Sequence, residues 1–355
     1  MNRRKFLAVT GVAAAGVGGA GVAGVTRRES TTDRDTEPAS RQDRSAEQSH
    51  AGGATETEPS LESRVADAAG LLVFTYDDSP VEDYTLTYRI HQEYDVPGCI
   101  AACPGLMETS AAHLSPAQLT ELAAAGWGVL SHTADHRVLG EIPLTAAAAD
   151  GDERLAVDWN RHGDFEGDPL VVSDEDREVP TTVAGADSDA AGQYIELAEP
   201  LDGPISDAGT VRHPAEFMQT VLERTDAQLE AWGLDVTGFV YPYTRYHGVV
   251  EDVVREQYDA VANHRYGGGH NALAELDPTT MQRRYIETDK ATEAELDAFM
   301  ETAADEAVLA IVGGHSQFET LTADRIRYTI ETALEHDLAI VTLAEALEAL
   351  DRGLQ

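Results

Sequence analysis

Two adjacent aspartates, Asp77 and Asp78, close an apolar run in the order Thr75-Tyr76-Asp77-Asp78-Ser79. Neighbouring acids at a strand end point to different sides, so one can hold a cation while the other faces a substrate. Further on, His132 and His136 stand four apart in Ser131-His132-Thr133-Ala134-Asp135-His136. On a helical turn that spacing puts both imidazoles on one face, where they can share a metal. Two imidazoles and a carboxylate make three ligands with open positions, the pattern of a catalytic rather than a structural metal site. Each piece alone also has a plainer use, the Asp pair as a turn or helix cap and the histidines as ordinary polar residues. Tyr243 in Phe239-Val240-Tyr241-Pro242-Tyr243 and His315 in Ile311-Val312-Gly313-Gly314-His315 also end or follow apolar strands. In a parallel sheet, all four segments would meet on the rim formed by the carboxyl ends of the strands.

The elements that must position them alternate between strand and helix patterns. Strands are expected over 70–76, 98–102, 127–130, 237–240, 308–312 and 338–341, with helices over 84–93, 115–125, 215–232 and 343–350. The second helix opens on an N-cap, Ser115, with Pro116 in its first turn, and stops at Gly126. This order predicts a parallel α/β sheet or barrel. Residues 140–212 break the rhythm with turn-rich, acidic sequence and short β-like runs, and are read as an insertion forming a small β-rich lobe or lid. Within it, Trp159, His162 and Tyr194 either stack a sugar over the rim or, for the two aromatics, core the lobe; we take the second reading. Cys99 and Cys103 lie too far apart along a strand for a disulfide and are expected as buried free thiols.

The chain has 355 residues, 64 acidic against 25 basic, for a formal charge of −39. That field repels nucleic acid and anionic lipid, which excludes both as partners. Because the acids are spread through core-forming sequence, the composition suits a surface adapted to high salt, where screening relieves self-repulsion. Asn2-Arg3-Arg4-Lys5-Phe6-Leu7, ahead of an uncharged Ala- and Gly-rich stretch to Val25, reads as a twin-arginine export signal over 1–28. The alternative is an uncleaved membrane anchor. Residues 29–60 contain no Ile, Leu, Val, Met or aromatic residue and read as a disordered spacer, so the folded part is expected over 61–352, at the cell surface or outside the cell.

In this order the motifs resemble those of the polysaccharide deacetylases with NodB homology, carbohydrate esterase family four. That family reads T-F-D-D-G, then H-[ST]-x-x-H, then R-x-P-[YF], then an apolar strand ending in histidine. The matching stretches here are 75–79, 132–136, 240–243 and 309–315. The resemblance implies an incomplete (β/α) barrel, interrupted by the 140–212 insertion. It implies that Asp78, His132 and His136 bind a divalent metal, commonly zinc, and that Asp77 is the general base for the attacking water. The Tyr243 backbone N–H would stabilise the oxyanion, and His315 would protonate the leaving group. The expected substrate is an acetylated glycan, N- or O-linked; another amide such as a cyclic imide, or glycan binding without turnover, are the alternatives. Three departures stand out. Val240 occupies the position of the arginine that orients the base, with Arg283 or Arg284 as candidate replacements, and Ser79 and Thr244 replace glycines.

Overall fold

The computed structural model describes residues 60–353 apart from Glu108 and Gly267. The export signal read over 1–28, and the spacer read over 29–60 up to its last residue, lie outside the described residues. In chain order the first strands are β1 (Gly70–Tyr76), β2 (Cys99–Ala102) and β3 (Gly128–Ser131). The inserted stretch supplies β4 (Ile142–Pro143), β5 (Arg154–Val157), β6 (Pro169–Ser173), β7 (Glu178–Asp189), β8 (Gly192–Leu197) and β9 (Thr210–Arg212). The main sheet resumes with β10 (Val236–Phe239), β11 (Arg265–Tyr266), β12 (Gln282–Tyr285), β13 (Leu309–Gly314) and β14 (Leu338–Ile340).

The main sheet is parallel throughout, in the order β10-β3-β2-β1-β13-β12-β11, with β14 also paired to β1. Its two ends come together through one isolated parallel bridge, Phe239 to Val261, rather than through a paired strand. Among the described residues the wrap is therefore incomplete, as the resemblance implies. Every residue of β1 is buried, and its side chains alternate between two cores because successive residues of a strand face opposite ways. Leu72, Phe74 and Tyr76 pack outward against helices 88–94, 116–124, 293–305 and 323–335. Leu71 and Val73 point to the other side, with Leu130, Val240, Leu309, Ile311 and helix Leu343–Asp351. Fully burying one such side chain contributes about 1.5–3 kcal/mol, so the two faces together fix the register that brings the strand ends level.

The expected helix after β1 begins as a π-helical turn, Asp83–Thr87, before continuing as α-helix over Tyr88–Tyr94. The helix at Pro116–Ala124 carries a full capping box between Ser115 and Gln118. Cys99 and Cys103 are free and buried. Burial pushes the Cys99 thiol up to about 12 and the Cys103 thiol also up, which keeps both unreactive. The insertion is a separate six-stranded antiparallel sheet, β4-β9-β6-β7-β8-β5, with its own core of Leu155, Leu170, Val172, Ile195 and Val211.

Candidate active site

The carboxyl ends of β1 and β3 set three ligand atoms together. Asp78 Oδ1 lies 3.5 Å from His132 Nε2 and 3.2 Å from His136 Nε2, and the three ligand atoms fall within 4.8 Å of one another. Ligands about 2.0 Å from a tetrahedral ion stand about 3.3 Å apart, so the spacing fits a single zinc-sized cation. The His132 Nδ1–H donates to the Val240 carbonyl at 2.6 Å, which turns the Nε2 lone pair toward Asp78. Asp78 Oδ1 is buried without a hydrogen-bond partner, an orphan that a cation would satisfy. Its other oxygen accepts from Gln317 Nε2 at 2.8 Å. Burial pushes the Asp78 carboxyl up, but His132, His136 and His315 outweigh it and hold the group ionised. Burial lowers His136 to about 4, against the pull of Asp78, leaving the neutral imidazole that a metal requires.

Asp77 points the other way and is gripped by Arg283 from β12. Nη1 donates to Oδ1 at 2.8 Å and Nη2 to Oδ2 at 2.6 Å, a bidentate fork between two buried side chains. The same guanidinium donates to Thr75 Oγ1 and to the Tyr285 hydroxyl. Burial pushes the Asp77 carboxyl up, yet Arg283, with His132 and His315, brings it below the ordinary carboxylate range. Arg283 therefore supplies the positive charge missing at Val240, while Arg284 faces Glu295 at 4.0 Å. Gly313 makes room for it, since a Cβ there would lie 2.6 Å from Arg283 Nε.

His315 follows β13, with Nε2 3.8 Å from Asp77 Oδ2. Its Nδ1 and its backbone N–H both donate to Glu287 Oε1, at 2.7 and 3.1 Å. Burial lowers the imidazole pKa, but the Glu287 hydrogen bond with Asp77 and Asp78 raises it to about 8. Glu287 and Gln317 were missed in the sequence; an acid just beyond the strand that carries Arg283 is the only signal Glu287 offers. Next to His315, the Ser316 hydroxyl donates to Asp83 Oδ1 at 2.6 Å. Asp83 is wholly buried; burial, with repulsion from Asp78 and Asp77, raises its carboxyl well above the usual range despite the serine.

Backbone strain collects on this rim. Of nine non-glycine residues with positive φ among those described, six are here: Asp78, Ser79, Thr133, His136, Tyr243 and Thr244. Left-handed backbone costs a non-glycine residue about 1–3 kcal/mol and persists where surrounding contacts enforce it. Ser79 (φ 57°) and Thr244 (φ 55°) are the two positions where the resembled family has glycine. The Ser79 hydroxyl accepts from Cys103 N at 2.9 Å. The Tyr241–Thr244 turn is clamped by buried Asn263, which accepts from Tyr241 N and donates to Tyr241 O. The clamp sets the Tyr243 ring 4.4 Å from that of His136.

Aromatic side chains border both ends of this arrangement. Tyr243 and Phe318 are 45% and 47% exposed, two of the three exposed large hydrophobic residues among those described. Phe318 stacks on His315 at 5.0 Å, and Trp159 meets Tyr243 edge-on at 4.7 Å. Trp159 also packs against the lobe core, as the second reading expects. His162 is instead buried against His213 at 4.5 Å, and Tyr194 packs with Arg154.

A parallel wrap whose rim holds a metal-ready triad beside a carboxylate and an imidazole has the layout of a hydrolase. Residues 65–160 match the family model described as polysaccharide deacetylase. That stretch carries Asp77, Asp78, His132 and His136. No curated protein matches it. Among solved structures it is similar to the Xyl-CE4 domain of a multidomain xylanase from the hindgut metagenome of Trinervitermes trinervoides. That alignment has 13% identity, covers 80% of this chain and 91% of the other, and has a TM-score of 0.43. It is also similar to a family 4 acetyl xylan esterase from Clostridium thermocellum in complex with a cobalt ion (11% identity, 78% and 90% covered, TM-score 0.43). A family 4 pseudoenzyme from Bacillus anthracis aligns with 9% identity, 78% and 65% covered, and a TM-score of 0.42.

Proposed function

We propose that the protein is a metal-dependent deacetylase that removes acetyl groups from a glycan. The observation that carries this reading is the pairing of two supported groups with one ligand triad: Asp77 forked by Arg283 and His315 held by Glu287, beside Asp78, His132 and His136. The donor set of one carboxylate and two imidazoles suits zinc. A zinc ion there would polarise the acetyl carbonyl and make a water easier to deprotonate. Asp77, ionised and fixed by the fork, takes the proton from the attacking water. The Tyr243 backbone N–H faces the developing oxyanion. His315, cationic at neutral pH with its pKa near 8, gives its Nε2 proton to the departing amine or alcohol. Exposed Tyr243 beside His136 and exposed Phe318 beside His315 suit the carbohydrate faces of a chain lying across the rim.

The twin-arginine motif and the acidic composition support export to the cell surface or beyond, into concentrated salt. The test is acetate release by zinc-loaded full-length protein from N-acetylated and O-acetylated oligosaccharides at high salt. Asp77→Asn is expected to keep its zinc and lose turnover by at least about 100-fold. A wild type that binds zinc yet releases no acetate from either substrate overturns the reading.

A further inference from the structure

The insertion brings more than an aromatic ring to the rim. Trp159 and Tyr243 meet at 80°, forming a corner whose Tyr243 wall is in ring contact with the ligand His136. Two guanidinium groups bracket this corner. Arg245 lies 5.0 Å from the Trp159 ring centre, and Arg161 lies 5.9 Å from Trp159 and 5.7 Å from Tyr243. In a chain with 64 acidic and 25 basic residues, two arginines on one tryptophan beside the site run against the prevailing field.

Their existing partners do not use them up. Arg161 reaches Asp164 at 3.1 Å with both side chains well exposed, and Arg245 stands 3.7 Å from Asp158, beyond hydrogen-bond length. Such open pairs contribute little, and a guanidinium has five N–H donors of which one carboxylate engages at most two. Arg283, by contrast, is buried and committed to Asp77, Thr75 and Tyr285. The corner is also fixed in place. Gly140, where the chain leaves for the lobe, lies so close to the Arg245 segment that a Cβ would come within 2.5 Å of the Arg245 carbonyl oxygen.

We propose that the insertion and the turn at Tyr243–Arg245 together form a subsite for a carboxylate-bearing sugar next to the acetylated residue, with Trp159 and Tyr243 stacking the ring and Arg161 and Arg245 binding the carboxylate. The substrate class is thus an acidic acetylated glycan, an inference that rests on the deacetylase reading. A planar carboxylate matches the guanidinium fork, and the same anion would be repelled over most of the remaining surface.

The test uses zinc-loaded full-length protein at one fixed salt concentration and two probes of equal length. One is an N-acetylglucosamine oligomer; in the other, alternate residues are glucuronate. Titration calorimetry is expected to show the acidic oligomer binding about tenfold more tightly, the low end for one charge-assisted hydrogen bond. Arg161→Gln combined with Arg245→Gln removes that preference, whereas Trp159→Ala weakens both oligomers. Equal affinities in the wild type, no binding of either oligomer, or arginine variants that weaken both probes equally would overturn the subsite. Acetate release from the same oligomers keeps the two ideas apart. A binding preference without release sinks the deacetylase and leaves the subsite; release without preference does the reverse.

Discussion

Arg283→Met removes the cation that neutralises Asp77, and burial sets the cost. The two side chains are 2% and 3% exposed, so water cannot replace the lost guanidinium. Taking one partner from a buried ion pair costs about 3–5 kcal/mol, because the remaining charge is left uncompensated. Here the fork is bidentate, and Thr75 and Tyr285 lose a donor as well, so the upper half of that range is expected. Removing both charges, as in Asp77→Leu with Arg283→Met, leaves no stranded ion. That double variant should recover about 2–3 kcal/mol relative to the sum of the single changes. The pH dependence follows from the sign of the shift. Asp77 has a lowered pKa in the folded protein despite burial. The pair therefore stabilises above the ordinary carboxylate pKa, and that stabilisation disappears as pH falls through the lowered value. Without Arg283, only His132 and His315 oppose the effect of burial, so the variant's deficit should be largest at neutral pH and shrink toward pH 4. Denaturant unfolding in chelator-treated buffer at fixed salt, for all four proteins between pH 4 and 8, measures these quantities. A deficit under about 1 kcal/mol, a deficit independent of pH, or strict additivity of the two changes would refute the reasoning.

Asp78→Asn, His132→Ala and His136→Ala should each reduce zinc binding from one ion per chain by at least about tenfold in affinity, measured by competition with a chelating dye; a variant that retains full affinity removes its residue from the ligand set. Glu287→Gln should bring the His315 pKa down from about 8. The alkaline limb of the rate profile then moves to lower pH, because the protonated acid is lost earlier as pH rises; an unmoved limb argues against Glu287 as its support. Burial and the neighbouring Asp78 and Asp77 push the Asp83 carboxyl well above its usual range, so Asp83→Asn, which keeps an acceptor for Ser316, should cost less than about 1 kcal/mol, against about 1–3 for Asp83→Ala. Equal losses in the two Asp83 variants, read from denaturant midpoints, would show that the carboxyl is charged.

The strand ends were legible because each functional side chain sits directly after an apolar run, where burial period and chain direction fix its position. The parallel sheet brings Asp77, Asp78, His132, His136, Tyr243 and His315 to one rim for that reason. The choice between Arg283 and Arg284 was not legible. On a four-residue strand, the residue that faces inward depends on register, and a shift of one exchanges the two. Glu287 and Gln317 join the site through packing between segments far apart in sequence, and nothing in their own spacing marks them. The substituted glycines were visible as departures, but their meaning depended on φ. Ser79 and Thr244 adopt the left-handed backbone that glycine favours, held there by Cys103 and Asn263. Trp159 falls at the end of an inserted β-like run, where the sequence gives no hint that the lobe leans on Tyr243.

The insertion leaves and rejoins the main chain side by side, since Ile142 on β4 pairs with Val211 on β9. A segment with adjacent ends can lengthen, shrink or be exchanged without disturbing the parallel strands that hold the ligand triad. In the proposed subsite, Trp159 and Arg161 come from that segment, whereas Tyr243 and Arg245 belong to the main chain. Rewriting that segment would change the Trp159 and Arg161 side of the proposed subsite and leave Asp78, His132 and His136 in place.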